Sequence, residues 1–410
     1  MLTKNLTGSL GHHVREVADG RLRWNRFGFR VVVSVIVLAA VLLSAASCGG
    51  SSAKSSRAKK HFEPRELYII NAKTGAIDQD FPDVDIGNYG IAYAAVSDGS
   101  GGWYIGGDFN RVGKASRYGL ARLRSDGSLD PEFAPRLPKG TYVVAIVRHG
   151  NVVYVDTSAT DSASGMSVVA AFDARSGRKL WQVPTNKGDW LAGGLAFAKG
   201  TLFVVGAFTR IAGVPRSGLA ALDPSTGRPT SWYVHLASGR KTEGEVDAMS
   251  IENGVIYYAG FYKGTKTCRE NKVAGAVSAR TGQITPWNPQ HAELEPLGYF
   301  AILATHGQVL VGGNGFVVYD ARTGRVLPWY ERLEGCLDTF ALSGNTVYLG
   351  SFPWEGCGNM ISAGGKRVHN LAAVVLPSGR VTNWRPMVSP TPDVGVLAVS
   401  GQNVLMIGAR

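Results

Sequence analysis

Thr201–His235 reads TLFVVGAFTRIAGVPRSGLAALDPSTGRPTSWYVH, and the reading of this stretch decides the fold. Thr201–Phe208 is apolar and β-branched, Gly218–Asp223 alternates, and Arg228–His235 carries Trp232. Ser225-Thr226-Gly227 separates the last two runs. Turn residues bound each run, the pattern of short antiparallel strands joined by tight connections.

The same pattern recurs along the chain. Its marker, a small turn with Gly, appears at Lys73-Thr74-Gly75, Ser125-Asp126-Gly127, Arg175-Ser176-Gly177, Ser225-Thr226-Gly227, Arg280-Thr281-Gly282, Arg322-Thr323-Gly324 and Pro377-Ser378-Gly379. Successive copies stand 52, 50, 50, 55, 42 and 55 residues apart, and an aromatic follows each: Phe81, Phe133, Trp181, Trp232, Trp287, Trp329 and Trp384. A period of this size with four strands per repeat predicts propeller blades. The ends complete one another. Residues 403–410 (NVLMIGAR) supply a second strand with no third or fourth, and residues 67–81 supply a third and fourth with no first or second. The expected fold is all-β: a seven-bladed β-propeller over residues 66–410, closed by strands from both termini, which removes two sheet edges.

Ile105-Gly-Gly-Asp-Phe-Asn-Arg-Val-Gly with Gly119-Leu-Ala-Arg-Leu-Arg, and Val205-Gly-Ala-Phe-Thr-Arg-Ile-Ala-Gly with Gly218-Leu-Ala-Ala-Leu-Asp, resemble the delta-60 repeats of bacterial exported propellers. Ala171-Phe-Asp-Ala-Arg-Ser-Gly-Arg-Lys-Leu-Trp181 is similar to the repeats of quinoprotein-like (PQQ-enzyme-like) propellers. The resemblance implies the fold and leaves activity to be argued from a site. In such repeats the fourth-strand aromatics are expected to pack between blades rather than to stack on sugars.

The remainder of the chain is organised for export. Six basic residues precede an uncharged run from Val31 to Ser47, which reads as a signal peptide or signal anchor over residues 1–47. The sequence Leu43-Ser-Ala-Ala-Ser-Cys48 resembles a bacterial lipobox, with Ala45 where Leu is usual, and implies lipidation of Cys48. An uncleaved anchor and cleavage after Ala46 are the alternatives, and all three put the domain outside the cytoplasm. Residues 48–65 read as a flexible Ser/Lys/Gly tether at the membrane. Residues 1–60 hold ten Lys/Arg against two Asp/Glu, so +8 of the net +12 belongs to this leader. That location argues against nucleic acid as a partner.

Candidate sites follow from the loops. An acidic residue precedes the innermost strand in six of seven repeats: Asp85, Asp189, Asp247, Glu295, Asp338 and Asp393. With register kept, these carboxylates ring the mouth of a central channel, where Ca²⁺ or a hydroxyl-rich ligand would relieve their repulsion. The competing reading is that each caps its own loop through backbone N–H groups. The second-to-third-strand loops are basic, among them Arg111, Lys114, Arg117, Arg210 and Arg216, forming either an anion-attracting band or pairs with carboxylates of the same blade. Cys336 and Cys357 fall on one face and are expected to form a disulfide, with Cys268 as the competing thiol.

No Gly-x-Ser-x-Gly elbow, His-Glu-x-x-His pair or phosphate loop is present. The favoured reading is a monomeric, non-catalytic binding or scaffolding module without a cofactor, lipid-anchored at the bacterial membrane and contacting an envelope protein or cell-wall glycan. The second reading is an enzyme acting on glycans or alcohols through the channel mouth, as a glycosidase or a quinone-dependent dehydrogenase would.

Overall fold

The computed structural model describes residues 67–409 apart from 83, 88–90, 160–165, 235–243, 264–269, 288, 290–298, 314, 330–332, 353–359, 361 and 389–392. The leader, the tether, Cys48, Cys268, Glu295 and Cys357 lie outside the described residues. Within residues 63–410 the protein is all-β, and no helix among the described residues is long and apolar enough to cross a membrane.

The longer strands build seven sheets among the described residues, numbered here by the order of their first strands. Those first strands are Ile91–Ser97, Thr141–His149, Trp190–Ala198, Gly244–Glu252, Tyr299–Thr305, Thr339–Ser343 and Asp393–Ser400. In sheets 1 to 6 a hairpin leads to a second strand and a further connection to a third, all antiparallel; that connection is a longer loop except in sheet 5, where Gln308–Gly313 is followed directly by Gly315–Asp320. Sheet 7 joins the two ends of the chain: Asn403–Ala409 pairs on one side with Asp393–Ser400 and on the other with Leu67–Asn71, with Leu67 opposite Ile407. Each first strand lies against the next along the chain, and Asp393–Ser400 lies against Ile91–Ser97.

The marker turn forms for a local reason. In its commonest version an Asp or Asn at the end of the third strand accepts backbone N–H groups two and three residues on, and the next residue is a Gly in the left-handed region. Asp223 Oδ1 takes the Ser225 and Thr226 amides at 2.9 Å each, and Gly227 follows at φ 71°. Asp320 and Asn71 repeat the arrangement with Thr323 and Thr74. Hydrogen bonds from Ser225 and Thr226 hold the Asp223 carboxyl below the ordinary range, and that from Thr323 does the same for Asp320.

The same glycines receive the preceding sheet. A side chain at Gly227 would collide with the Trp181 ring, at Gly127 with Phe81, and at Gly379 with Trp329. The indole then bonds across the boundary: Trp181 Nε1 donates to Pro224 O at 2.9 Å, Trp232 to Ser278 O at 3.2 Å, Trp287 to Asp320 O at 3.0 Å and Trp384 to Asn71 O at 2.9 Å. Tyrosines on second strands add Tyr104 to Ala174 O, Tyr257 to Ala321 O and Tyr348 to Ala72 O. Trp329 departs from the pattern: its Nε1 is buried without a partner among the described residues, and Gln308 bonds the Pro377 carbonyl of the following sheet instead. Trp232, Trp287, Trp329 and Trp384 are buried, so they stabilise the contact between sheets and offer no stacking surface.

Trp384→Ala is expected to cost about 3–5 kcal/mol, because it removes a buried indole and its bond to the first strand of the chain. In urea unfolding with hydrogen exchange, Leu67–Asn71 should lose protection first, whereas Met387→Ala, at a 70% exposed side chain, should leave both readouts unchanged.

Candidate functional site

The acidic residues do not share one position. Asp85 accepts the Gly87 amide at 2.7 Å and pairs with Arg111 at 2.8 Å on the surface. Asp189 accepts both the amide and the hydroxyl of Thr209, at 2.9 and 3.2 Å. Asp338 accepts the Phe352 amide at 2.8 Å. These three cap loops. Asp247 lies inside a strand, at the irregularity between Val246 and Ala248, and Asp393 opens the first strand of sheet 7. The expected register across the acids therefore fails at Asp247, because a β-bulge absorbs the residue that was counted as loop.

Bulges recur at one level of the first strands: between Ala92 and Ala94, Val143 and Ala145, Leu191 and Gly194, Val246 and Ala248, Tyr299 and Ala301, and Val394 and Val396. The residue before five of these bulges points into the sheet contacts, as Ala92, Val143, Leu191, Val246 and Val394 are all buried. The residues on either side of it turn the other way. Tyr93, Tyr142, Asp247 and Asp393 are the polar members of that set whose side chains are described, and each is at least partly exposed. Tyr93 is 38% exposed; burial, then the charge of Asp108, then Tyr142, push its hydroxyl up to about 12. Burial pushes the Asp393 carboxyl above the ordinary range, and no hydrogen bond or ion pair reaches it among the described residues. Tyrosines and carboxylates on one side offer ring faces and acceptors to a hydroxyl- or amine-bearing ligand. Among the described residues no three His, Cys, Asp or Glu side chains gather as a metal site, so the calcium reading finds no cluster there.

Among the described basic loop residues, Arg111, Arg117, Arg210 and Arg216 bond within the repeat. Arg111–Val112 pairs with Ala115–Ser116, and Arg210–Ile211 with Val214–Pro215, each a small hairpin that strand periodicity did not reveal. Arg216 donates to Pro215 O at 2.7 Å and Thr230 O at 2.6 Å and lies over the Tyr233 ring; Arg117 donates to Ser116 O at 2.9 Å. Carbonyls, not the expected carboxylates, hold these two arginines, and Arg111 is the one that pairs with an acid. Cys336 is fully buried and disulfide-bonded.

Asp156 escaped the sequence reading. It is fully buried on the second strand of sheet 2, with both carboxyl oxygens lacking a hydrogen-bond partner among the described residues. A signal was available: Asp156-Thr157 stands where the matching strands carry Gly106-Gly107, Val205-Gly206, Ala259-Gly260 and Gly312-Gly313.

The sheet pattern, the inter-sheet aromatics and the strand order define a β-propeller. Residues 99–133 match a family model described as a β-propeller domain of unknown function (DUF5122), and residues 165–301 match one described as outer membrane protein assembly factor BamB. The repeats are thus similar to those of PQQ-like repeat propellers. Among solved structures, the extracellular domain of a one component system from B. thetaiotaomicron is 16% identical with a TM-score of 0.50, over 81% of this chain and 39% of that one. BamB from Moraxella catarrhalis is 16% identical with a TM-score of 0.43, over 84% and 92% of the two chains. The first of these likenesses bears on fold alone. No curated protein sequence matches the chain.

Asp393→Asn should raise the unfolding temperature at neutral pH and leave it unchanged below the ordinary carboxylate range. The folded-state pKa is raised, so the charged form is disfavoured only once pH exceeds the unfolded value. Asp189→Ala, which deletes a loop cap, should cost about 1 kcal/mol in the same thermal scan at neutral pH.

Proposed function

We propose that the protein is a seven-bladed propeller, closed through its terminal strands, that binds an envelope partner on the side lined by its first strands. Closure is supported by the pairing of Leu67–Asn71 with Asn403–Ala409 and by the unbroken series of contacts between first strands. The observation that carries the binding reading is the set Tyr93, Tyr142, Asp247 and Asp393 on that side, with Asp393 lacking a partner among the described residues. Asp85, Asp189 and Arg216 are already committed to the fold by their hydrogen bonds, whereas this side presents polar groups that cap no loop.

An extracytoplasmic place is supported by the basic, apolar leader, by the lipobox-like Cys48 and by a disulfide at Cys336, which suits an oxidising compartment. Cys357 is the proposed partner of Cys336. The BamB family is described as an outer membrane protein assembly factor, and a scaffolding role at the envelope accords with that. The protein works as a monomer tethered to the membrane, with an envelope protein or cell-wall glycan as the partner. No catalytic motif favours the enzyme reading.

In pull-down and calorimetry with solubilised envelope proteins and cell-wall fragments, binding should weaken at least about tenfold in Asp247→Lys and Asp393→Lys. Arg210→Glu, on a hairpin whose bonds are internal, should bind as wild type. Unchanged binding in both aspartate variants would remove this side as the docking surface. Mass spectrometry of the mature N-terminus tests acylation of Cys48.

A further inference from the structure

The Asp156 carboxyl occupies the boundary between sheets 2 and 3. It sits opposite Ala145 on one neighbouring strand and Val169 on the other. No hydrogen bond of good geometry reaches either oxygen among the described residues, and the amide of Gly193, on the first strand of sheet 3, is the one polar group that favours its charge. Across the three strands that surround it, the ionisable residues are Tyr142, Arg148 and His149 on Thr141–His149 and Asp173 on Val168–Asp173, with none on Trp190–Ala198; its own strand adds Tyr154, and none of them acts on Asp156.

The facing strand is unusual at the matching point. Every other bulge among the described first strands adds one residue, whereas sheet 3 adds two, Ala192 and Gly193, between Leu191 and Gly194. Gly193 takes φ 84°, and a side chain there would press on Val144 O at 3.2 Å. A side chain at Gly194 would run into Val205. The repeat is thus broken twice at one place, by an acid where the neighbours have small or apolar residues and by an enlarged bulge, ending in a glycine pair, laid over it. Glycines are the residues that change backbone conformation at least steric cost. An isolated buried carboxylate is costly unless it gains a partner or water.

We infer that Asp156 and the Ala192–Gly193 bulge form a proton-controlled latch between sheets 2 and 3. The latch is shut while Asp156 keeps its proton. Loss of the proton favours a state in which the bulge swings aside and water reaches the carboxylate from the side of the first strands. Val144 lies next to the bulge, on the same strand as Tyr142, so the latch adjusts one wall of the surface proposed above for partner binding. The latch itself does not depend on that reading, and its test uses no ligand.

The sign is set by linkage. A carboxyl that binds its proton more tightly in the shut state makes opening more favourable as pH rises from the ordinary carboxylate value to the shut-state value. The open population then increases by up to about tenfold per pH unit within that window. Hydrogen exchange of the full chain, followed by mass spectrometry between about pH 5 and about pH 8 and corrected for intrinsic exchange, reads this directly. In wild type, peptides covering residues 190–197 should lose protection with rising pH, while those covering 308–313 keep theirs. Asp156→Asn should flatten the profile of residues 190–197. Asp156→Val, which installs the residue found at the matched position of sheet 3, should keep the segment protected throughout. A flat wild-type profile, or an unchanged slope in either variant, would overturn the latch.

Discussion

The contact on which the sheets most depend is a glycine in the left-handed conformation lying beneath an aromatic ring from the sheet before it, as at Gly127, Gly227 and Gly379. Each sheet of a repeat fold buries its apolar faces only against its neighbours. Its outer region becomes stable only when a neighbour supplies a large apolar surface and satisfies a stray carbonyl. Trp181 over Gly227 does both, through ring contact and through its bond to Pro224 O. The Asp or Asn that starts the turn has a second task, because it fixes the backbone so that the glycine presents an open face. Turn, ring and carbonyl therefore form one unit, which explains why the marker and its aromatic travel together along the chain.

Polar groups bound into the fold in this way stand apart from those on the proposed docking side. Asp85, Asp189 and Asp338 spend their oxygens on amides of their own loops, and Arg117 and Arg216 spend their donors on nearby carbonyls. A further network, Arg122 between Asp98 and Asp130, stiffens sheet 1. Burial alone would raise the Asp98 carboxyl, but bonds from Ser100, Arg122 and Gly102 outweigh it and hold the group low. Asp393 and Tyr93 have no comparable structural duty, and both sit on the side toward which the first strands turn.

The repeat was legible because turn chemistry is local: Asp223-Pro-Ser-Thr-Gly227 carries its own hydrogen bonds. The complementarity of the two ends was legible for a related reason, since a strand count needs no distances. Register was not. A bulge adds a residue without leaving a compositional trace, so Asp247 read as a loop residue although it lies within Gly244–Glu252. The hairpins around Gly113 and Gly213 were hidden because strands of two residues show no alternation. Asp156 was missed because Val-Tyr-Val-Asp-Thr alternates as an ordinary half-exposed strand would, and only the neighbouring sheet makes it interior.

The pairing of Leu67–Asn71 with Asn403–Ala409 has a consequence for biogenesis. During synthesis Leu67–Asn71 has no strand to join on this side until Asn403–Ala409 has emerged. Contacts this distant in sequence are slow to form, and an unpaired edge is open to intermolecular association meanwhile. The later segment thus supplies the partner that the earlier one lacks, and any ribosome that stops short of residue 403 releases a molecule with a permanently sticky rim.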